Sequence, residues 1–279
     1  MARSICALGI DVGSTTVKIV GVDADGALIW HHLEKAEPRA EDQIERFLAC
    51  VRQETFEVSG TSKVWNVPLV ATGYGRKLVK QATRSVTEIT CHATGVFREL
   101  GHGGTLVDIG GQDSKVISIS PKGDVTDFSM NDKCAAGTGR FLESTASRLG
   151  VPLERMGQVA LSAAEEVAIS STCTVFAESE VLSWLARGKK IEDILAGVHR
   201  STVSRAMGLM RRVGIEREVT FTGGVSKNSG IVAALNEALG FEVNVSPESH
   251  FMGALGAALF AMDHIQGRRP PATVTKGAP

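Results

Sequence analysis

An internal repeat is the feature that most constrains how this chain folds. The segment from Gly9 reads GIDVGSTTVKIVGVDADGALI, and the segment from Leu106 reads LVDIGGQDSKVISISPKGDVT. With a shift of 97 residues, Asp11 meets Asp108, Gly13 meets Gly110, Lys18 meets Lys115 and Gly26 meets Gly123. Apolar Ile10, Val12, Ile19, Val20 and Val22 meet Val107, Ile109, Val116, Ile117 and Ile119. Each copy reads as a strand, a tight glycine turn, a second strand and a second turn. Two copies so far apart do not make a solenoid. They predict two domains of like topology: residues 1–103, with 252–266 returning to them, and residues 104–251. Residues 267–279, GRRPPATVTKGAP, carry no apolar period and are predicted to be a disordered tail.

Helical periodicity fills the rest. In the segment Glu41 to Glu54, Ile44, Phe47, Leu48 and Val51 form an apolar stripe. Further helices are expected over Gly139–Leu149, Val175–Arg187, Ile191–Val213, Ser229–Leu239 and Met252–Ile265. Short strands are expected at Val67–Ala71, Val219–Thr222 and Phe241–Val245. Strands followed by helices, repeated, predict an α/β layered fold. Lys and Arg number 30 against 31 Asp and Glu, a net charge of -1, so nothing favours nucleic acid or an anionic membrane as partner. The uncharged run Met252 to Met262 is far short of the roughly 20 residues of a span. The first ten residues lead straight into a strand pattern, and a cytoplasmic protein is expected.

Glycine is enriched, 30 in 279 residues, and much of the excess sits in short turns after apolar strands. There is neither GxxxxGK[ST] nor GxGxxG. Three other turns stand out: Asp11-Val-Gly13-Ser14-Thr15-Thr16, Asp108-Ile-Gly110-Gly111-Gln112-Asp113, and Phe221-Thr-Gly223-Gly224-Val225. Glycine lets backbone N–H groups approach a phosphate closely. A strand-end aspartate can hold a Mg²⁺-bound water or orient the attacking water. Asp11 and Asp108 are the candidate Mg²⁺-water and catalytic groups, with Gln112 as a water-orienting group. Gly13, Ser14, Thr15, Thr16, Val17, Lys18, Gly110, Gly111 and Asp113 are candidate ATP contacts. In the third turn Gly223, Gly224, Val225 and Lys227 would cradle the nucleotide at the start of the helix expected from Ser229. Lys18 reads as a phosphate contact or as an exposed strand lysine. His250 reads as a group near adenine or ribose, or as a satisfied loop histidine. Two such turns in register and a third in order are the pattern of the actin-like ATPase superfamily. That likeness implies two ribonuclease-H-like domains with the nucleotide in the cleft between them.

Five cysteines occur, an odd number without a CxxC, so neither a disulfide framework nor a mononuclear zinc site is expected. Cys134 lies in MNDKCAAGTGRFLE and Cys173 in VAISSTCTVFAESEV, each just before an expected helix. A helix N-terminus favours the thiolate and hence ligation. A [4Fe–4S] cluster takes four thiolates, so two per chain would need a symmetric dimer. The alternative is that both are small buried helix-start residues. Cys91-His92 reads as a structural pair rather than a metal pair, and Cys6 and Cys50 read as core residues. Glu178 and Glu180 read as helix-face charges or as part of a partner surface.

The motifs GIDVGSTTVK, ATGYGR, DIGGQDSKVI, NDKCAAGTGRFLE, VAISSTCTVFAESEV, GVHRS, TGGVSKN and GALGAAL closely resemble the activators of (R)-2-hydroxyacyl-CoA dehydratases. The related ATPase subunits of benzoyl-CoA reductases are similar. The resemblance covers about residues 5–265. It implies a homodimer, or a heterodimer with a paralogous ATPase subunit. One [4Fe–4S] cluster per dimer would be ligated by Cys134 and Cys173 of each chain. It implies Mg-ATP hydrolysis that drives single electrons from ferredoxin or flavodoxin to an acyl-CoA dehydratase or aryl-CoA reductase. Lys227, where a polar residue is expected, and the Pro-rich tail depart from the pattern. A small-molecule kinase of the same superfamily is the competing reading, and it leaves both cysteine motifs unexplained. A chaperone-like module is the third, but no peptide-binding domain follows the last expected helix.

Overall fold

The computed structural model describes residues 4–59, 67–170 and 173–266, so the expected tail at 267–279 lies outside the described residues. In chain order the elements are β1 (Ala7–Val12), β2 (Thr16–Val22), β3 (Leu28–Lys35), α1 (Ala40–Ser59), β4 (Leu69–Thr72), β5 (Arg84–Ser85) and α2 (Glu88–Leu100). There follow β6 (Gly104–Ile109), β7 (Ser114–Ile119), β8 (Val125–Asn131), α3 (Gly139–Leu149), α4 (Met156–Leu161), α5 (Thr174–Ala186) and α6 (Ile191–Val213). The last are β9 (Val219–Thr222), α7 (Ser229–Leu239) and α8 (Met252–Gln266). The chain divides into two compact units. Unit 1 is Met1–Gly103, Ile119–Thr126 and His250–Pro279, and unit 2 is Gly104–Ser118 and Asp127–Ser249.

Unit 1 is built on a five-stranded sheet in the order β3-β2-β1-β4-β5. The first glycine turn makes β1 and β2 an antiparallel hairpin, with Ile10 opposite Ile19 and Asp11 opposite Lys18, and β4 runs parallel to β1. The stripe Ile44, Phe47, Leu48 and Val51 of α1 packs into one core with Leu8, Ile10, Val17 and Ile19. Small residues govern the packing of α8, whose sequence begins MGALGAAL. A Cβ on Gly256 would stand 1.9 Å from the Cys91 carbonyl oxygen of α2, and one on Gly9 would stand 2.0 Å from that of Ala254. Backbone therefore meets backbone where α8 crosses α2 and β1, which no larger residue allows.

Unit 2 repeats the hairpin in a four-stranded sheet of order β8-β7-β6-β9, with β9 parallel to β6. Its core joins Val107, Ile109 and Val116 to Phe141, Leu142, Ile194, Leu195, Val198 and Phe221. The strand expected over Phe241–Val245 is a single bridge, Thr220 to Asn244. Only Asn244 bonds β9, through its N–H to Val219 O and through its carbonyl to Phe221 N. Val243 N–H goes instead to the Asn236 side chain, and Pro247, without an N–H, follows soon after. The sequence reading also missed the third strand of each copy, β3 and β8, together with α2 and α4. Helix α2 buries Cys91, His92, Ala93 and Gly95 beside Ile89 and Val96, a face too poor in large apolar residues to stand out. No helix among the described residues is long and apolar enough to cross a membrane.

Candidate functional site

The first turn is closed by Gly13 N–H donating to Thr16 O at 3.0 Å. Asp11 is buried near the end of β1, and Lys18 Nζ lies 3.1 Å from its Oδ2. A carboxylate taken out of water needs such a partner. Ser14 is exposed at the tip, with Gly13, Thr15 and Thr16 half-buried and Val17 in the core. Lys18 is thus neither a freely exposed strand lysine nor remote from the strand-end aspartate.

The second turn repeats the closure, with Gly110 N–H donating to Asp113 O at 2.9 Å. Here the charges are more deeply buried: the side chains of Lys115 and Asp108 are 4% and 3% exposed. Lys115 Nζ serves two carboxylates, Asp113 Oδ2 at 2.5 Å and Asp108 Oδ2 at 3.4 Å. Asp108 Oδ1 accepts from Thr222 Oγ1 at 2.8 Å, which ties the second turn to the end of β9. Gln112 is exposed at the tip, and Gly111 is half-buried.

The third turn begins at Gly223, whose φ of 85° and a Cβ position 2.3 Å from the Ile109 oxygen both demand glycine. A short 3-10 turn, Gly224–Lys227, follows and buries Val225 and Ser226. Ser226 Oγ lies 2.8 Å from both Gly223 O and Ser249 Oγ. The expected cradle at the N-terminus of α7 is not available as such. Asn228 caps that helix, its Oδ1 accepting from the N–H groups of Gly230 at 3.0 Å and Ile231 at 3.1 Å. Lys227 Nζ donates to Pro247 O at 2.7 Å, and His250 is half-buried in the loop before α8.

Cys134 lies in the loop between β8 and α3. The expected helix over Gly139–Leu149 is α3, so Cys134 precedes its first residue by five positions rather than capping it. That helix starts only at Gly139, and its first N–H groups are engaged with the second turn. Gly139 N–H donates to Gly110 O at 2.9 Å, and Arg140 N–H to Gly111 O at 2.8 Å. Ser114 Oγ donates to Gly137 O at 2.8 Å. The second glycine turn and the Cys134 loop are therefore one hydrogen-bonded body. Cys173 is the N-cap residue of α5, as expected. Both thiols are half-buried, against the reading of them as buried helix-start residues. Helix α5 exposes Val175 and Phe176 in its first turn, at 66% and 64%. Glu178 and Glu180 are internal anchors rather than a plain charged face. Glu178 accepts from Ser144 Oγ at 2.6 Å and Arg148 at 2.8 Å on α3, and Glu180 accepts from Ser170 N–H.

Among the described residues no three His, Cys, Asp or Glu groups come together as a metal site. Cys91 is buried, and burial pushes its thiol up to about 12, the Asp11 charge adding to the rise. Cys6 is half-buried ahead of β1 rather than a core strand residue, and the Cys50 side chain lies outside the described residues. Sequence reasoning missed Thr222 and Asn228, although TFTGG and SKNSG place a hydroxyl at a strand end and an Asn before a helix.

Residues 8–261 match the BadF/BadG/BcrA/BcrD ATPase family. The chain is 45% identical over 259 residues to the activator of lactoyl-CoA dehydratase of Anaerotignum propionicum, covering 93% of this chain and 98% of that protein. The crystal structure of (R)-2-hydroxyglutaryl-CoA dehydratase component A from Acidaminococcus fermentans superposes with a TM-score of 0.86 at 43% identity, covering 94% of this chain and 100% of that one. The activator of 2-hydroxyisocaproyl-CoA dehydratase from Clostridium difficile, with bound ADPNP, does so with 0.84 at 36%, covering 97% and 99%. A ROK family glucokinase from Streptomyces griseus, 14% identical with a TM-score of 0.54, shares the fold alone. The fold is that of the actin-like ATPases, and the chain belongs to the BadF/BadG/BcrA/BcrD ATPase family and is an ATPase.

Proposed function

We propose that this ATPase activates an (R)-2-hydroxyacyl-CoA dehydratase in the cytoplasm, by spending Mg-ATP to drive single electrons into it through a [4Fe–4S] cluster shared by two copies of the chain. The electron donor is a ferredoxin or flavodoxin. The observation that carries this reading is the bonding of the Cys134 loop to the second glycine turn through Gly110, Gly111 and Ser114. A kinase has no use for a cysteine fastened to its phosphate loop, whereas an ATP-gated electron carrier does. Identity of 45% to a dehydratase activator supports the class of acceptor.

The donor set fits the cluster. Cys134 and Cys173 are half-exposed, and no third ligand joins either among the described residues. Two thiolates from each of two chains complete the usual four. When bound, the cluster stores one electron at a time. In nucleotide binding, the turns Gly13–Lys18 and Gly110–Asp113 would each offer backbone N–H groups to phosphate. Asp11 and Asp108 would hold the magnesium ion through water, and Gln112 would orient the attacking water. Gly223–Val225 with Lys227 would line the nucleoside end, and His250 would lie toward the base. Because α3 bonds to Gly110 and Gly111, a shift of the second turn between ATP and ADP moves the Cys134 loop. Glu178 passes that shift from α3 to α5 and Cys173. A nucleotide biases such a change only by its differential affinity for the two states.

The test is stopped-flow absorbance of the reduced protein mixed with its dehydratase, with Mg-ATP, with a non-hydrolysable analogue and without nucleotide. Oxidation is expected only with Mg-ATP. Equal rates in all three mixes would remove the gating role.

A further inference from the structure

We infer that Arg205 is a positioning residue for the Cys134 sulfur and sets the ease with which the cluster accepts an electron, an inference that rests on the cluster reading above. Arg205 projects from α6, and its Nη2 donates to Cys134 Sγ at 3.7 Å. Two further features make this contact a built one. A Cβ on Gly137 would stand 3.0 Å from both Cβ and Cδ of Arg205, so the arginine stem fills the space that glycine leaves. The loop that carries the sulfur is pinned at the cysteine itself, by Asn131 Nδ2 to Cys134 O at 2.8 Å, and three residues on, by Ser114 Oγ to Gly137 O at 2.8 Å. The backbone that carries the sulfur is thus fixed at two points beside the residue that donates to it.

Helix α6 is itself anchored at points that matter for the same reaction. Ser201 Oγ donates to Ser170 O at 3.1 Å, three residues before Cys173. Two residues earlier, His199 meets the Leu195 carbonyl and Asn228, the cap that follows the third glycine turn. A single rigid element therefore reaches the Cys134 loop, the segment leading to Cys173 and the end of the third turn.

The chemistry follows from charge. Arginine keeps its proton throughout, so no proton transfer enters. A reduced cluster carries one more negative charge than the oxidised one. A fixed cation and an N–H···S bond on a ligand sulfur both favour the reduced form. The guanidinium fork holds its direction, whereas lysine would offer a mobile point charge.

The experiment compares wild type, Arg205→Met and Arg205→Lys, purified anaerobically. Iron content, melting temperature, the midpoint potential by dye-mediated titration and the electron paramagnetic resonance spectrum of the reduced state are measured. Arg205→Met is expected to keep its iron and to shift the oxidised-to-reduced equilibrium about tenfold toward oxidised, ~59 mV lower for one electron. Arg205→Lys should fall between Met and wild type, with altered g-values. An Arg205→Met protein that holds iron at the wild-type potential overturns the inference and leaves the cluster reading standing. If Arg205→Met does not hold iron, Arg205→Lys carries the test, and a wild-type potential and spectrum in it overturn the inference. A wild type without iron overturns the cluster reading and this inference together.

Discussion

Lys18 Nζ lies 3.1 Å from Asp11 Oδ2, directly across the first hairpin from it. The second hairpin repeats the pair with Lys115 and Asp108 at 3.4 Å. The seven-residue offset between Asp and Lys in each copy is therefore a cross-strand ion pair at the neck of a glycine turn. Each pair sets a carboxylate against a lysine at a strand end, in a glycine turn suited to phosphate.

Hydrolysis should depend on these carboxylates. Asp11→Ala or Asp108→Ala is expected to cut ATP turnover by about two orders of magnitude, the scale for losing preorganised charge handling. ADP affinity should fall far less, since backbone N–H groups do much of the holding. Phosphate release and ADP titration calorimetry on the two variants check this, and turnover unchanged in both would locate the nucleotide elsewhere.

Lys115 should matter for stability as well. Its removal leaves Asp108 and Asp113 beside a vacated, nearly fully buried position. Breaking a buried pair from one side costs about 3–5 kcal/mol. Lys115→Met should lower the urea midpoint accordingly. The double variant Lys115→Met with Asp108→Asn should recover part of the loss, because the more deeply buried of the two uncompensated charges is gone. No recovery would mean that Lys115 acts through packing alone.

Acid should weaken the fold through His199. The ring is buried, and burial lowers its pKa below the ordinary value, against the hydrogen bonds to Leu195 and Asn228 that raise it. Both ring partners are acceptors, and a neutral ring has a single N–H for the two. Below the unfolded value, about 6.5, the unfolded chain takes up a proton that the folded chain refuses. Stability is therefore full above that pH and falls as pH drops toward the folded value, by at most about 1.4 kcal/mol per unit. Urea melts of wild type and His199→Gln at pH 7.5 and 5.5 test this. The wild type should lose more on acidification, and equal losses would contradict the assignment.

Much of this was legible in the sequence because hairpins, glycine turns and helix stripes are local. Asp11, Gly13 and Lys18 recur as Asp108, Gly110 and Lys115 because one hairpin geometry demands them twice. The apolar stripe of α1 likewise announced itself at helical spacing. What escaped were consequences of tertiary approach. Helix α2 shows Cys91, His92 and Gly95 to the core because α8 passes within backbone contact there, and small residues leave little periodic signal. Asn228 takes N–H groups of α7 that the sequence reading reserved for a nucleotide. Arg205 reaches Cys134 from 71 residues away, and no spacing rule connects them.

The central claim is a cluster held jointly by Cys134 and Cys173 of two chains. Iron and sulfide per chain, determined on anaerobically purified protein whose molar mass is measured by light scattering in the same run, test it most directly. The account predicts a brown dimer with about two irons per chain, and colourless protein in Cys134→Ser and Cys173→Ser. Full iron in either variant, or a colourless wild type, would contradict it.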